Sequence, residues 1–326
     1  MSDRPPFVTV IIPTRPGQGE IPAVEAARGL DHPAELLEIL VARGRQPAIQ
    51  RNVALRQAKG SIVYFLDDDA RPEPGNLRRV LPQFSLPGVK MVGGPNLCPP
   101  DAPALEQVFA VVLSSWLAFG ASRARYWGVG EARRSGEKEL ILCNLVADRA
   151  AVLEAGGFDE MLYPNEENAL MDALVARGAH LLYDPGMSVQ RRPRPGLRAF
   201  ARMVFTYGRG RAEQFRLHPT AGSAANLVPP LFCLYLALLP VLGPLGMGLL
   251  GLYLVALLGQ GILSARDHGL VRALLSLPLV VLTHIGYGLG FWRGLFTRVE
   301  RNRAMSAEQV VIERITPGLR APGGAP

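Results

Sequence analysis

The 326-residue sequence predicts an α/β domain with a mostly parallel sheet, followed by helical apolar segments. Three observations predict it. Short β-branched runs alternate with helical stretches through the first part of the chain, the order of strands joined by crossover helices. One of those runs ends abruptly in three carboxylates, Asp67-Asp68-Asp69. Finally, Asn226 to Ala265 holds about forty residues without an acid or a base.

The first strand is read in Phe7 to Thr14, a β-branched run stopped by Pro13. A helical stretch follows with Ile21, Val24, Ala27 and Leu30 near one face. Leu36 to Val41 gives a second strand, and Ile49 to Ala58 a second helix carrying Arg51, Asn52 and Arg56. The third strand runs apolar through Leu66 and breaks at Arg71-Pro72, where proline forbids further pairing. Its acids sit at a strand tip. In extended chain Asp67 and Asp69 point to one side and Asp68 to the other, so an Asp-x-Asp pair can share the divalent cation that a nucleotide diphosphate needs. A solvated acidic turn is the alternative. Ligands of parallel α/β sheets bind beyond the carboxyl ends of the strands, where these acids lie.

Asn76 to Leu86 reads as a helix and Val89 to Pro95 as a fourth strand. Ala104 to Ala121 is apolar and helical. Residues 122–138, rich in arginine and glycine, read either as a mobile loop that closes over a ligand or as a solvated connection. Leu140 to Val146 is a further strand, Arg149 to Ala155 a short helix, and Gly156-Gly157-Phe158-Asp159-Glu160 a turn needing glycine. Glu166-Glu167 opens a helix ended by Gly178; these acids either cap it or face the site at Asp67 and Asp69. Leu181 to Val189 returns to strand, before Gln190-Arg191-Arg192-Pro193-Arg194-Pro195.

Leu197 to Phe215 is amphipathic and basic, which suits the lipid interface; a soluble helix packed on the domain is the other reading. Asn226 to Ala265 is enough for two crossings of roughly twenty residues each, with a turn at Pro240, Gly243 and Pro244. Val271 to Trp292 is a third apolar segment, on which His284, Gly286, Gly288 and Gly290 read as helix-packing residues. Three crossings would carry Arg298, Arg301 and Arg303 across the membrane; keeping them beside the first domain requires one segment to be re-entrant or interfacial. The expected organisation is a domain over 1–195, an interfacial helix and linker over 196–222, membrane segments over 223–296 and a tail over 297–326.

The net charge of +7 is carried almost entirely by arginine crowded beside apolar segments, which favours an anionic membrane surface over nucleic acid. Cys98, Cys143 and Cys233 fit neither a disulfide framework nor a zinc site. Met1 to Phe7 lacks an apolar core of signal-peptide length, so the first domain is expected in the cytoplasm.

Val8 to Thr14, Arg51-Asn52, Phe65-Leu66-Asp67-Asp68-Asp69, Gly156 to Glu160 and Glu166-Glu167 resemble, in order and spacing, family 2 glycosyltransferases of GT-A fold over roughly residues 7–215. Phe205 to Arg211 and the apolar C-terminus look like the membrane-anchored exopolysaccharide branch of succinoglycan type. The resemblance implies an inverting transfer from a nucleotide-diphosphate sugar to a polyprenyl-linked or polysaccharide acceptor, by a multi-pass protein of the inner (cytoplasmic) membrane. It assigns the donor to Pro13, Thr14, Arg51, Asn52, Asp67, Asp68 and Arg194, and Mg²⁺ or Mn²⁺ to Asp69 with Asp67. The catalytic position is the Glu166-Glu167 pair, with Glu167 as base. Three departures stand out: Ala42-Arg43-Gly44 where relatives carry an aspartate for the nucleotide base, Glu167 for aspartate, and Gln190 where histidine is common. A catalytically silent membrane scaffold that keeps the fold is the alternative function. A nucleotidyltransferase leaves Gly156 to Asp159 and the helix at Glu167 without a role.

Overall fold

The computed structural model describes residues 4–162, 164–219, 225–297 and 309–316. β1 (Val8–Thr14), α1 (Pro22–Arg28), β2 (Leu37–Arg43), α2 (Pro47–Gln57) and β3 (Ile62–Leu66) alternate as the β-branched runs predict. A short β4 (Arg71–Pro72) leads to α3 (Asn76–Val80), which ends early because Pro82 turns the expected helix into a tighter turn over Leu81–Ser85. Next come β5 (Val89–Gly93), β6 (Asn96–Leu97), α4 (Ala104–Leu113), α5 (Trp116–Phe119), β7 (Arg133–Ser135), β8 (Asn144–Asp148) and α6 (Arg149–Glu154). α7 (Glu166–Ala176), β9 (His180–Tyr183), β10 (Val189–Gln190) and α8 (Leu197–Leu217) follow. The chain then enters α9 (Val228–His268) and α10 (Leu270–Phe296), and its last described element is β11 (Val311–Ile315).

Eight strands form one sheet in the order β11-β2-β1-β3-β8-β5-β9-β7. β2, β1, β3, β5 and β9 run parallel, while β8, β7 and β11 run against them. β8 inserts between β3 and β5, which makes the sheet mixed. Both faces are covered, one by α1 and α3, the other by α2, α6 and α7. That double cover explains why the strands read as unbroken apolar runs. A second sheet, β4-β10-β6, lies beyond the tip of β3 and brings Arg191 to the acids.

One expectation is corrected and one choice is narrowed. Within the stretch assigned to a tail, Val311–Ile315 is an antiparallel edge strand on β2, pinned by Glu313 to Arg43 and by Arg314 to Glu38. Arg298, Arg301, Arg303 and the chain beyond residue 316 lie outside the described residues. Of the two readings of segment 122–138, the contacts favour a packed connection. Arg125 donates to Asn168 Oδ1 at 2.6 Å, Arg133 pairs with Glu139, and Glu137 forms a buried pair with Arg211 at 2.7 Å.

Two helices, α9 and α10, are long and apolar enough to cross a membrane. α9 folds back at Gly243, which leaves helical geometry (φ 55°, ψ −141°) between Pro240 and Pro244. The Phe232 and Tyr253 rings then meet at 4.7 Å, whereas a straight helix would hold them about 30 Å apart. α10 begins beside His268, whose ring packs on Trp127 at 4.7 Å, and Trp127 O accepts from Tyr183 Oη on β9. At its far end Arg216 of α8 donates to Gly294 O at 3.1 Å, and Thr297 reaches the cleft described below. Both ends of α10 therefore return to the sheet domain. Along it, a Cβ on Gly208 would strike the Tyr287 backbone and one on Gly290 the Phe205 backbone, so α8 and α10 touch at glycine.

Candidate active site

A cleft of about 1580 Å³ opens at the carboxyl ends of β1, β2 and β3. Pro13, Thr14, Arg51, Asp67, Asp68, Asp69, Glu166, Glu167 and Arg194, predicted from the sequence, all line it. Asn52 does not.

The strand stops at Leu66, and Ala70 N donates to Asp67 O at 3.1 Å, so the acids sit on a turn rather than an extended chain. Strict alternation is lost and all three carboxylates line the same cleft. Arg51 Nη2 donates to Asp67 Oδ1 at 3.0 Å; Arg191 Nη2 lies 3.3 Å from Asp67 Oδ2, and its Nε 2.5 Å from Asp69 Oδ1. Burial alone would raise Asp67, but Arg191, Arg51 and Arg194 together hold it below its ordinary value. Asp68 is raised, first by burial and then by Asp69 and Asp67, and takes the Thr14 hydroxyl at 3.3 Å. The tip therefore carries graded charge.

Arg191 is the residue the sequence reading passed over in favour of Arg194. Its backbone N–H is held by Leu97 O at 3.0 Å beside the small sheet, which turns its side chain inward. Arg192 turns outward to Glu106 at 2.6 Å. In sequence, Arg191, Arg192 and Arg194 are indistinguishable; the pairing of β10 with β6 decides among them.

Asn52 is a positioning residue. Its Nδ2 donates to Phe158 O and its Oδ1 accepts from Phe158 N, both at 2.9 Å, and Nδ2 also reaches Glu160 Oε1 at 3.1 Å. The Gly156 to Glu160 turn is thereby clamped to α2. Gly157 has φ +75°, and a Cβ there would stand 2.6 Å from Asn52 Oδ1, so this position needs glycine twice over.

The two glutamates at the start of α7 differ in surroundings. Glu166 is buried, with Oε1 accepting from Arg51 Nη1 at 3.0 Å and Oε2 without a partner among the described residues. Burial and then the neighbouring Glu167 push its pKa up to about 8. We read it as a proton-bearing acid on Arg51, whose charge is met by Asp67. Glu167 is half-buried on the cleft wall. Asn165, at φ 89°, bends the chain sharply into this helix.

Ion binding is tested by the donor set. Among the described residues no three His, Cys, Asp or Glu side chains converge on one point. Yet Asp67 and Asp69 already share one cationic group, the Arg191 guanidinium, and the Asp69 side chain is 47% exposed toward the cleft. Such a pair fits a hard divalent cation whose remaining ligands are phosphate oxygens and water. Gln190, in place of histidine, bonds Glu73 at 3.3 Å, outside the cleft lining. Cys143 lines the cleft, its thiol pushed up to about 12 by burial. Tyr207, Arg209 and Glu213 of α8, with Thr297, close the side that faces the apolar helices.

Residues 30–107 match the family model described as glycosyl transferase family 2. The chain is 26% identical over 192 residues to succinoglycan biosynthesis protein ExoA of Rhizobium meliloti (strain 1021), covering 58% of this chain and 56% of that one. It is 28% identical over 185 residues to pre-mycofactocin glycosyltransferase of Mycobacterium tuberculosis (strain CDC 1551 / Oshkosh), covering 53% and 36%. The matches thus span just over half of the first relative and about a third of the second. Among solved structures, mannosyltransferase PcManGT from Pyrobaculum calidifontis, in complex with GDP-Man and Mn²⁺, is similar at a TM-score of 0.51 over 87% of this chain and 88% of that one. At 17% identity the likeness is one of fold.

Proposed function

We propose, from the match of residues 30–107 to the family 2 glycosyltransferase model and from the likeness of fold, that the chain is a membrane-associated, inverting glycosyltransferase that moves a sugar from a nucleotide-diphosphate donor to a lipid-linked or nascent polysaccharide hydroxyl. One observation carries the reading: the Asp67 to Asp69 tip and Glu167 line a single cleft, one wall of which is Tyr207, Arg209 and Glu213 of α8 with Thr297 just after α10. The acids that suit a donor thus share one cleft with the helix that packs on the apolar segments.

In this reading Pro13, Thr14 and Arg194 flank the donor, and Arg51 keeps Asp67 ionised by direct hydrogen bonding. Asp69, with Asp67, would hold Mg²⁺ or Mn²⁺, which supplies charge neutralisation for the departing diphosphate. Arg191 would release the two carboxylates and turn its charge to the phosphates. Glu167 takes the proton of the acceptor hydroxyl as that oxygen bonds to the anomeric carbon and the carbon–oxygen bond to the diphosphate breaks. The sugar inverts, and the electron pair leaves on the nucleoside diphosphate. The cytoplasmic face of the inner membrane is the compartment that fits a nucleotide-sugar donor.

Asp69→Ala should abolish Mn²⁺-dependent binding of UDP-, GDP- and dTDP-sugars by the purified protein. Equal donor affinity in the variant, or full turnover in excess chelator, would sink the ion assignment. A wild-type protein that binds donor yet never transfers sugar would favour the silent scaffold.

A further inference from the structure

Resting on that reading, we propose that the strand following the membrane helices, β11, completes the donor end of the cleft through a relay of positioning residues. Glu313 holds Arg43, and Arg43 holds the loop that carries Arg15 and Gln18.

Arg43 ends β2, where the cleft wall begins. Its Nε and Nη2 donate to the two carboxylate oxygens of Glu313 at 2.6 and 3.1 Å, and its Nη1 donates to Gln18 O at 2.6 Å. The fork therefore joins an edge strand to the β1–α1 loop. That loop needs an outside anchor. It contains Gly17 at φ +76° and Gly19, and a Cβ at either would meet nothing within 4 Å. The longest reach of its own hydrogen bonding is Gln18 N to Arg15 O at 3.4 Å. Arg15 and Gln18 nevertheless line the cleft, and the Gln18 side chain joins Thr14 as a hydrogen-bond partner of Asp68. Fixing the Gln18 carbonyl fixes where both side chains stand.

The register of β11 makes the contact specific. Glu313 lies opposite Val41 and diagonal to Arg43, so the pair shares one face of the sheet. On the other face Arg314 bonds Glu38 and donates to Gln57 O at 3.0 Å. β11 is held from both sides, and Glu313 can neither slide nor turn away. The Glu313 side chain is 45% exposed, so the ion pair adds little to stability. Its consequence is placement of the loop.

Full-length protein in detergent should be titrated with UDP, GDP and dTDP in the presence of Mn²⁺, as wild type, Arg43→Ala, Glu313→Ala, the double variant and the reversed pair Arg43→Glu with Glu313→Arg. The relay predicts that each single change weakens whichever nucleotide the wild type binds by about fivefold or more, that the double change adds nothing, and that the reversed pair stays as weak as the single changes, because a carboxylate at position 43 restores the ion pair but cannot donate to Gln18 O. Hydrogen exchange at residues 15–20 should accelerate in Glu313→Ala while residues 311–315 stay protected. Unchanged affinity with unchanged exchange overturns the relay, as do additive losses. Should the wild type bind none of the three nucleotides, the glycosyltransferase reading fails and exchange at residues 15–20 still judges the relay. Loss of protection at 311–315 in Glu313→Ala would overturn it too, because the residue would then be holding the strand and not the loop.

Discussion

At the scale of single residues, the cleft works by giving neighbouring acids different environments. Asp67 is surrounded by three guanidinium groups and stays charged, while the next residue, Asp68, is pushed toward its proton. Glu166 and Glu167 are adjacent in sequence, yet one is buried on Arg51 and the other half-buried at the cleft wall. This has a consequence for pH. A carboxyl that gives up its proton near 4.5 in the unfolded chain but keeps it up to about 8 in the folded one makes the folded state lose stability as pH rises between those values. Glu166→Gln removes that slope. Thermal midpoints at pH 5.5 and 7.5 should therefore diverge less in the variant than in the wild type; an equal divergence would mean that Glu166 is ionised on Arg51. The acids were legible in the sequence because an apolar strand running straight into three carboxylates has few structural uses. Arg191 was not, because three arginines in four residues look alike until a two-residue strand pairing orients them.

At the scale of elements, the crossover order of β1 to β3 and the start of α7 could be read from the chain because burial on both faces leaves long apolar runs. The antiparallel β8 could not, since an inserted central strand has the same apolar composition as its parallel neighbours. β11 escaped for another reason. Val311–Ile315 is short, half-exposed and charged, and its partner on β2 lies more than two hundred residues earlier. The Gly156 to Glu160 turn was recognised as needing glycine, but its partner Asn52 was assigned to the donor. The structure makes Asn52 its clamp. Asn52→Ala leaves Phe158 N and O unpaired in the interior and should cost roughly 1–3 kcal/mol of stability. Gly157→Ala should be at least as damaging, and Gly156→Ala less so, because nothing stands near a Cβ at Gly156 although its φ of +97° remains unfavourable. Denaturant midpoints of the three variants test this. A neutral Asn52→Ala with weakened donor binding would return Asn52 to the donor.

At the scale of the whole molecule, the sheet domain and the apolar helices are one unit built around the cleft. β11 joins β2, and both ends of α10 meet the sheet domain. In a cysteine-free background, Asp267→Cys and Gln309→Cys should both react with an impermeant thiol reagent from the face that exposes the cleft; labelling of Asp267→Cys from the opposite face alone would make α10 a crossing. The forty-residue uncharged run was plain in the sequence, but its fold-back could only be suspected from Pro240, Gly243 and Pro244. The central claim is that this cleft transfers sugar with Glu167 as base. It is tested most directly by the transfer rate at saturating donor in Glu167→Gln and Glu166→Gln. The account predicts that Glu167→Gln binds donor normally and transfers about 10²- to 10⁴-fold more slowly, while Glu166→Gln loses much less. A dead Glu166→Gln beside an active Glu167→Gln would contradict it.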